Sequence, residues 1–327
     1  MREKNGNAFD LAISSLVCNS LTNVQSTGLF GGFLLSAYSH EKKKAFIIDA
    51  QLTVPENFPA SINNLLDVKE GPLSIAVFSG FLKGLWEMHK NYANILWRDL
   101  IQPSVQLCRN GIILTKHLRD SIEYNPAILN NPYMKSMFVE NDKIKKIGSK
   151  IVNSRHCDFL ELLSSHDDQE DIFSGKILEI IERDLKDAGS IITIEDLKSY
   201  KLKVYERELI NLNEDYAMVI PDTAAILIPS IVKILLNYKM AKDLSATNHH
   251  RITEVFKHVF AMRAQLGDGD FEDVEDVKKY LLSEEFVNHV LKSIDDETVK
   301  TDLEDYGVDF FAPEDHGTSH ISIVTEN

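Results

Sequence analysis

The order of the apolar periodicities limits this chain's fold more than any other feature. Asn7 to Cys18 places Ala8, Ala12, Ile13, Leu16 and Val17 on one helical face. Two strand-like runs follow, Phe33 to Tyr38 and Ala45 to Ala50, joined across Lys42-Lys43-Lys44, which reads as a solvated hairpin turn. A further β-type run, Gly71 to Gly80, precedes a helical pattern over Leu82 to Tyr92. From Trp97 to about Phe311 helical spacing dominates. It gives a helix kinked or restarted at Pro103, others over Leu118 to Ile122 and Ile177 to Leu185 with a stop at Gly189, and a capping signature at Thr193. Ile228 to Leu236 and His250 to Leu266 are helical too, after two short strands around Asn213-Glu214-Asp215. Strands first and helices after is the α+β order rather than a regular βαβ alternation. No repeat or linker marks a clean domain boundary.

A chain of 327 residues with 44% hydrophobic side chains is ample for a large core, as one domain or two. With 35 basic and 50 acidic side chains the net charge is -15, which excludes sequence-independent attraction to nucleic acid or anionic lipid. Three widely spaced cysteines, Cys18, Cys108 and Cys157, propose neither a disulfide framework nor a metal site. They read as small buried hydrophobes, with Cys18 in the core. Leu11 to Val17 is too short and too polar to span a bilayer, and no signal-type cleavage site or anchor is present. His249, His250 and His258 do not sit at ligand spacing, and the acidic run from Gly267 reads as a solvated turn, so no metal is expected. Gly28, Gly31 and Gly32 do not make a dinucleotide fingerprint, and no cofactor is expected. They serve either as an anion nest or as close backbone packing at a sheet corner.

Chemistry enters at DHGTSHISIV, Asp315 to Val324, whose last five residues alternate like a strand entering a sheet. Gly317-Thr318 reads either as a surface turn or as a bond that cuts itself. Were it cut, Thr318 would carry a hydroxyl nucleophile and, in its own α-amine, a base with an ordinary pKa near ~8. Glycine at 317 would leave room for the hydroxyl to fold back on the preceding carbonyl.

Taken together, the stretches resemble the γ-glutamyltranspeptidase family over nearly the whole chain. GNAFDLAISSLVCNSLTNVQSTGLFGGFLL (Gly6 to Leu35), GPLSIAV with LKGLWEMH (Gly71 to Val77, Leu82 to His89) and WRDLIQPSVQLCRNG (Trp97 to Gly111) come first. GSIITIEDLKSY (Gly189 to Tyr200), HRITEVFKHVFAMRAQLGD (His250 to Asp268) and DHGTSHISIV follow in the family's order. The resemblance implies an N-terminal-nucleophile hydrolase fold, a four-layer αββα sandwich, made as a precursor that cuts itself before the threonine. Residues 1–317 would be the large-subunit region and 318–327 the start of a small subunit. Thr318 would attack the γ-glutamyl amide of glutathione or a conjugate and form an ester. The acyl group would pass to water, an amino acid or a peptide. Family members work outside the cytosol, on the cell surface, in the periplasm or secreted.

Three departures bear on activity. The family holds the donor's α-carboxylate with an arginine where IIDAQLTVP has Gln51, losing charge and a bidentate fork worth roughly 2–4 kcal/mol. Phe78-Ser79-Gly80-Phe81 and Asp222 to Ile226 differ from the family's substrate-channel loops. Only ten residues, 327 − 318 + 1, follow the Gly317-Thr318 bond, whereas in the family the small subunit supplies half the sandwich, the α-amino contacts and the oxyanion hole. An oxyanion hole alone is worth about 10²–10³ in rate, so the expectation is no turnover and no efficient self-cleavage by this chain alone. Two hypotheses remain: an enzyme region needing a complementary small subunit, or a degenerate non-catalytic homologue acting as a binding or structural partner.

Overall fold

A computed structural model describes residues 4–56, 58, 79–166, 170–238, 245–307 and 317–326. The β-type run expected over Gly71 to Gly80 lies outside them up to residue 78; Ser79 and Gly80 already open a helix. The chain forms two compact units. One comprises Met1–Leu34, Asp49–Lys203 and His316–Asn327, the other Leu35–Ile48 and Val204–Asp315. The chain passes between units several times, at points where composition does not change, and so sequence patterning shows no boundary.

The first unit is organised on helix α1, Ala8–Thr22. Asn7 caps it by accepting from the N–H groups of Phe9 and Asp10, and the Asp10 carboxylate returns to the Asn7 N–H, a complete capping box. Ile13, Val17 and Leu21 are buried along one stripe. Helix α2, Ser79–Tyr92, and α3, Trp97–Asn110, follow. Of the two outcomes expected at Pro103 the restart does not occur: α3 runs through it as one helix. An interior proline costs about 3 kcal/mol, but Trp97, Leu100, Ile101, Val105 and Cys108 bury one face of the helix, and that packing outweighs the loss. Helix α4, Lys116–Tyr124, and α5, Pro132–Phe138, enclose a small core of Leu118, Ile122, Met137, Phe138 and Ile151. Helix α6, Ser154–Ser164, packs on α3, and Trp97 Nε1 donates to the Leu163 carbonyl at 2.7 Å. Helix α7, Gly175–Asp187, ends before Gly189, whose φ of +64° suits glycine. Helix α8, Ile194–Ser199, has the capping box expected at Thr193, with Asp196 as its partner.

The cysteine reading is corrected here. Cys108 and Cys157 form a disulfide between α3 and α6 with Cα atoms 5.6 Å apart. Their separation of 49 residues becomes proximity only through helix packing, which spacing along the chain cannot reveal. Cys18 does not enter the core either: it is half-buried on the opposite side of α1 from Ile13 and Val17.

Strands β1, Phe33–Ser39, β2, Lys44–Ala50, and β3, Lys203–Arg207, form a sheet in the order β1-β2-β3, with most of their residues in the second unit. In the same unit β4, Ile210–Asn211, pairs antiparallel with β5, Ala217–Met218, Ile210 opposite Met218, around the expected turn. Helices α9, Leu227–Leu235, α10, Ala246–Ala261, α11, Glu275–Leu282, and α12, Glu284–Ser293, surround a core of Ile231, Ile234, Val255, Val259, Leu281, Phe286 and Val290. Among the described residues no helix is long and apolar enough to cross a membrane, and no group of three or more His, Cys, Asp or Glu side chains is placed to hold a metal ion.

Candidate active site

Helix α1 has a second stripe. Leu11, Ser14, Ser15, Cys18, Asn19 and Thr22 recur at helical spacing opposite the core stripe, and they form one wall of a cleft of about 660 Å³. The turn residues Asn23, Gln25 and Ser26 extend that wall, His117 contributes from α4, and Thr318, Ser319, His320 and Ile321 line the cleft as well. The lining is neutral and rich in hydroxyl and amide groups, without an Asp, Glu, Lys or Arg. Burial pushes the Cys18 thiol above its ordinary pKa, so it is a poor thiolate there. Both amide atoms of Gln25 are shielded from solvent without a hydrogen-bond partner among the described residues. Leaving such a group unpaired costs about 1–3 kcal/mol.

Thr318 is exposed at the cleft. Gly317 is exposed too, and no atom lies within 4 Å of where its Cβ would stand, so packing does not demand glycine there. The strand expected over His320 to Val324 does not form. Residues 317–326 join no ladder among the described residues, because a strand exists only with a neighbour to take its N–H and C=O groups. Ser319 is tied to Thr27 by a hydroxyl–hydroxyl bond of 2.7 Å, and His320 Nε2 lies 2.9 Å from Ser322 Oγ.

Gln51 is not among the residues lining this cleft. It is exposed just past β2, where its N–H donates to Asp49 Oδ1 at 3.1 Å and its carbonyl accepts from the Tyr200 hydroxyl at 2.8 Å. Burial, reinforced by the Asp49 carboxylate, pushes the Tyr200 hydroxyl up to about 12, so it stays a donor. Beside it Gly32 and Gly80 meet the Ala50 carbonyl closely; a Cβ would stand 2.5 Å and 2.1 Å from that oxygen. Within the glycine-rich stretch Gly32 thus serves close backbone packing, one of the two uses open to it, whereas nothing lies within 4 Å of a Gly28 Cβ. Lys83 Nζ donates to the carbonyls of Lys198 and Tyr200, both at 3.0 Å, and burial lowers its pKa against the opposing pull of Asp171.

The sequence reading did not single out Asn19, Gln25, Thr27 or His117. The recurrence of polar residues opposite Ile13 and Val17 was the signal available for the α1 members.

The α+β fold that carries this cleft is shared with solved structures. Gamma-glutamyltranspeptidase of Helicobacter pylori superposes with a TM-score of 0.78 at 20% identity, over 94% of this chain and 90% of that one. In sequence, residues 1–327 match the family described as Gamma-glutamyltranspeptidase. Glutathione hydrolase 3 of Arabidopsis thaliana is 30% identical over 327 residues, 98% of this chain and 51% of the plant protein. Scoloptoxin SSD14 of Scolopendra dehaani is 29% identical over 342 residues, 99% of this chain and 58% of the toxin. The chain belongs to the γ-glutamyltranspeptidase family. It spans about half the length of the curated relatives it matches.

Proposed function

We propose that this chain carries the nucleophile of a γ-glutamyl-transfer enzyme, and that residues 1–317 act as its large-subunit region, with the small-subunit region beginning at Thr318. The carrying observation is Thr318 at the edge of a cleft whose walls offer neutral donors and acceptors. Once freed from Gly317, the Thr318 α-amine takes the hydroxyl proton and the oxygen attacks the γ-glutamyl carbonyl of glutathione or a conjugate. The proton passes to the departing amine as the amide bond breaks, and the γ-glutamyl ester is then taken up by water or by an amino acid or peptide amine.

The cleft lining offers hydroxyl, amide and imidazole groups, but no Lys or Arg, to the tetrahedral intermediate. The reaction also draws on residues that relatives carry beyond the matched region, and these 327 residues assayed alone are expected not to turn over. The Cys108–Cys157 disulfide supports an oxidising, extracytosolic compartment.

A non-catalytic binding role is the second reading, favoured by neutral Gln51 where the family has arginine. Release of a chromogenic amine from a γ-glutamyl anilide separates the two. Turnover on adding a relative's small-subunit region that lacks the segment matching residues 318–327, lost in Thr318→Ala, supports the enzyme; binding without turnover supports the alternative. Activity of the isolated chain would overturn the need for a complement.

A further inference from the structure

We propose that Thr27 is the positioning residue for Thr318, acting through the hydroxyl of Ser319; this rests on the reading of Thr318 as nucleophile. Four side chains make a row of hydrogen bonds that run in one direction. Asn23 Nδ2 donates to Asn19 Oδ1 at 2.5 Å, Asn19 Nδ2 donates to Thr27 Oγ1 at 3.0 Å, and Thr27 Oγ1 donates to Ser319 Oγ at 2.7 Å. An amide nitrogen only donates, so Thr27 accepts from Asn19, and its own proton is directed at Ser319 Oγ. Each donation polarises the next, and the Ser319 hydroxyl keeps its own proton for an acceptor in the cleft beside Thr318.

The anchor is rigid where the tethered segment is not. The Asn23 carbonyl accepts from the N–H groups of Ser26 at 2.9 Å and Thr27 at 3.0 Å, closing a turn directly on the end of α1. Gly317 and Thr318 are exposed, nothing lies within 4 Å of where a Gly317 Cβ would stand, and residues 317–326 form no ladder among the described residues. Bonded across 292 positions of sequence, Thr27 fixes the peptide unit next to the reacting hydroxyl. Attack geometry tolerates little displacement, so such a tether matters to the chemistry as well as to local order.

Limited proteolysis of the intact 327-residue chain by a protease of broad specificity, with cuts within 317–326 read by mass, tests this without any turnover. Thr27→Val keeps the shape and removes the hydroxyl; the segment should be cut about five-fold faster, the equivalent of one net hydrogen bond. Ser319→Ala should do the same. Thr27→Ser restores the donor and should stay within about two-fold of the native chain. Asn19→Ala, one bond upstream, should give a smaller rise. A Thr27→Val chain cut within 317–326 at the native rate, or a Thr27→Ser chain cut as fast as Thr27→Val, overturns the proposal. A missing catalytic role for Thr318 would show in the anilide assay and leave these cleavage rates as they are.

Discussion

The carboxylate of buried Asp10 accepts the backbone N–H of Ile95 at 2.9 Å, 85 positions further along the chain. The same carboxylate accepts from Asn94 at 3.1 Å and Asn7 at 2.8 Å, so one side chain caps α1 and ties its start to the connection between α2 and α3. Asp10→Ala strands three N–H groups, and a loss of about 2–4 kcal/mol in urea unfolding is expected. A loss below about 0.5 kcal/mol would mean that water replaces the carboxylate freely.

Gly80 offers a test of sign. Alanine in a helix is ordinarily better than glycine by about 0.5–1 kcal/mol. At Gly80 its Cβ would stand 2.1 Å from the Ala50 carbonyl oxygen and 2.9 Å from the Tyr200 hydroxyl. Gly80→Ala is therefore expected to destabilise by about 2 kcal/mol or more, read as a lower urea midpoint. A higher midpoint would refute the close approach.

For the disulfide, alkylation in denaturant is expected to label one cysteine without reductant and three with it, since Cys18 alone is free. Closing a loop of 49 residues is worth up to about 4 kcal/mol, so reductant should lower the melting temperature of the first unit. Three labelled cysteines without reductant would contradict the pairing.

Acid sensitivity is expected from His258. Burial first, then Lys300, presses its imidazole down to about 4, with His289 and Lys257 adding to this and Glu254 opposing; the Tyr306 ring lies against it, centroids 4.8 Å apart. The folded pKa lies below the ordinary 6.5. Between those values the unfolded chain takes up a proton that the folded chain refuses, so stability is full above the window and falls as pH drops through it. From about pH 7 to about pH 5 the native protein should lose about 2 kcal/mol more than His258→Gln. Equal losses would show that His258 titrates alike in both states.

Local signals made much of the fold legible. The Thr193 capping box, the β1–β2 hairpin and the apolar stripes of α1, α9 and α10 follow from spacing alone. Packing decided the rest: α3 continues through Pro103 because its buried face holds it, and Cys108 meets Cys157 because α3 lies on α6. Thr318, which lines the cleft, stands in a motif that the sequence displays. Thr27 does not, because only the folded chain brings it to Ser319.

Whether Thr318 is the nucleophile is decided by mapping the N-terminus released when the chain is fused at residue 327 to the part of a relative's small-subunit region that lies beyond the matched segment. A new N-terminal Thr318, lost in Thr318→Ala, is expected. An uncut Gly317-Thr318 bond in the folded fusion, or a cut elsewhere, would contradict that role.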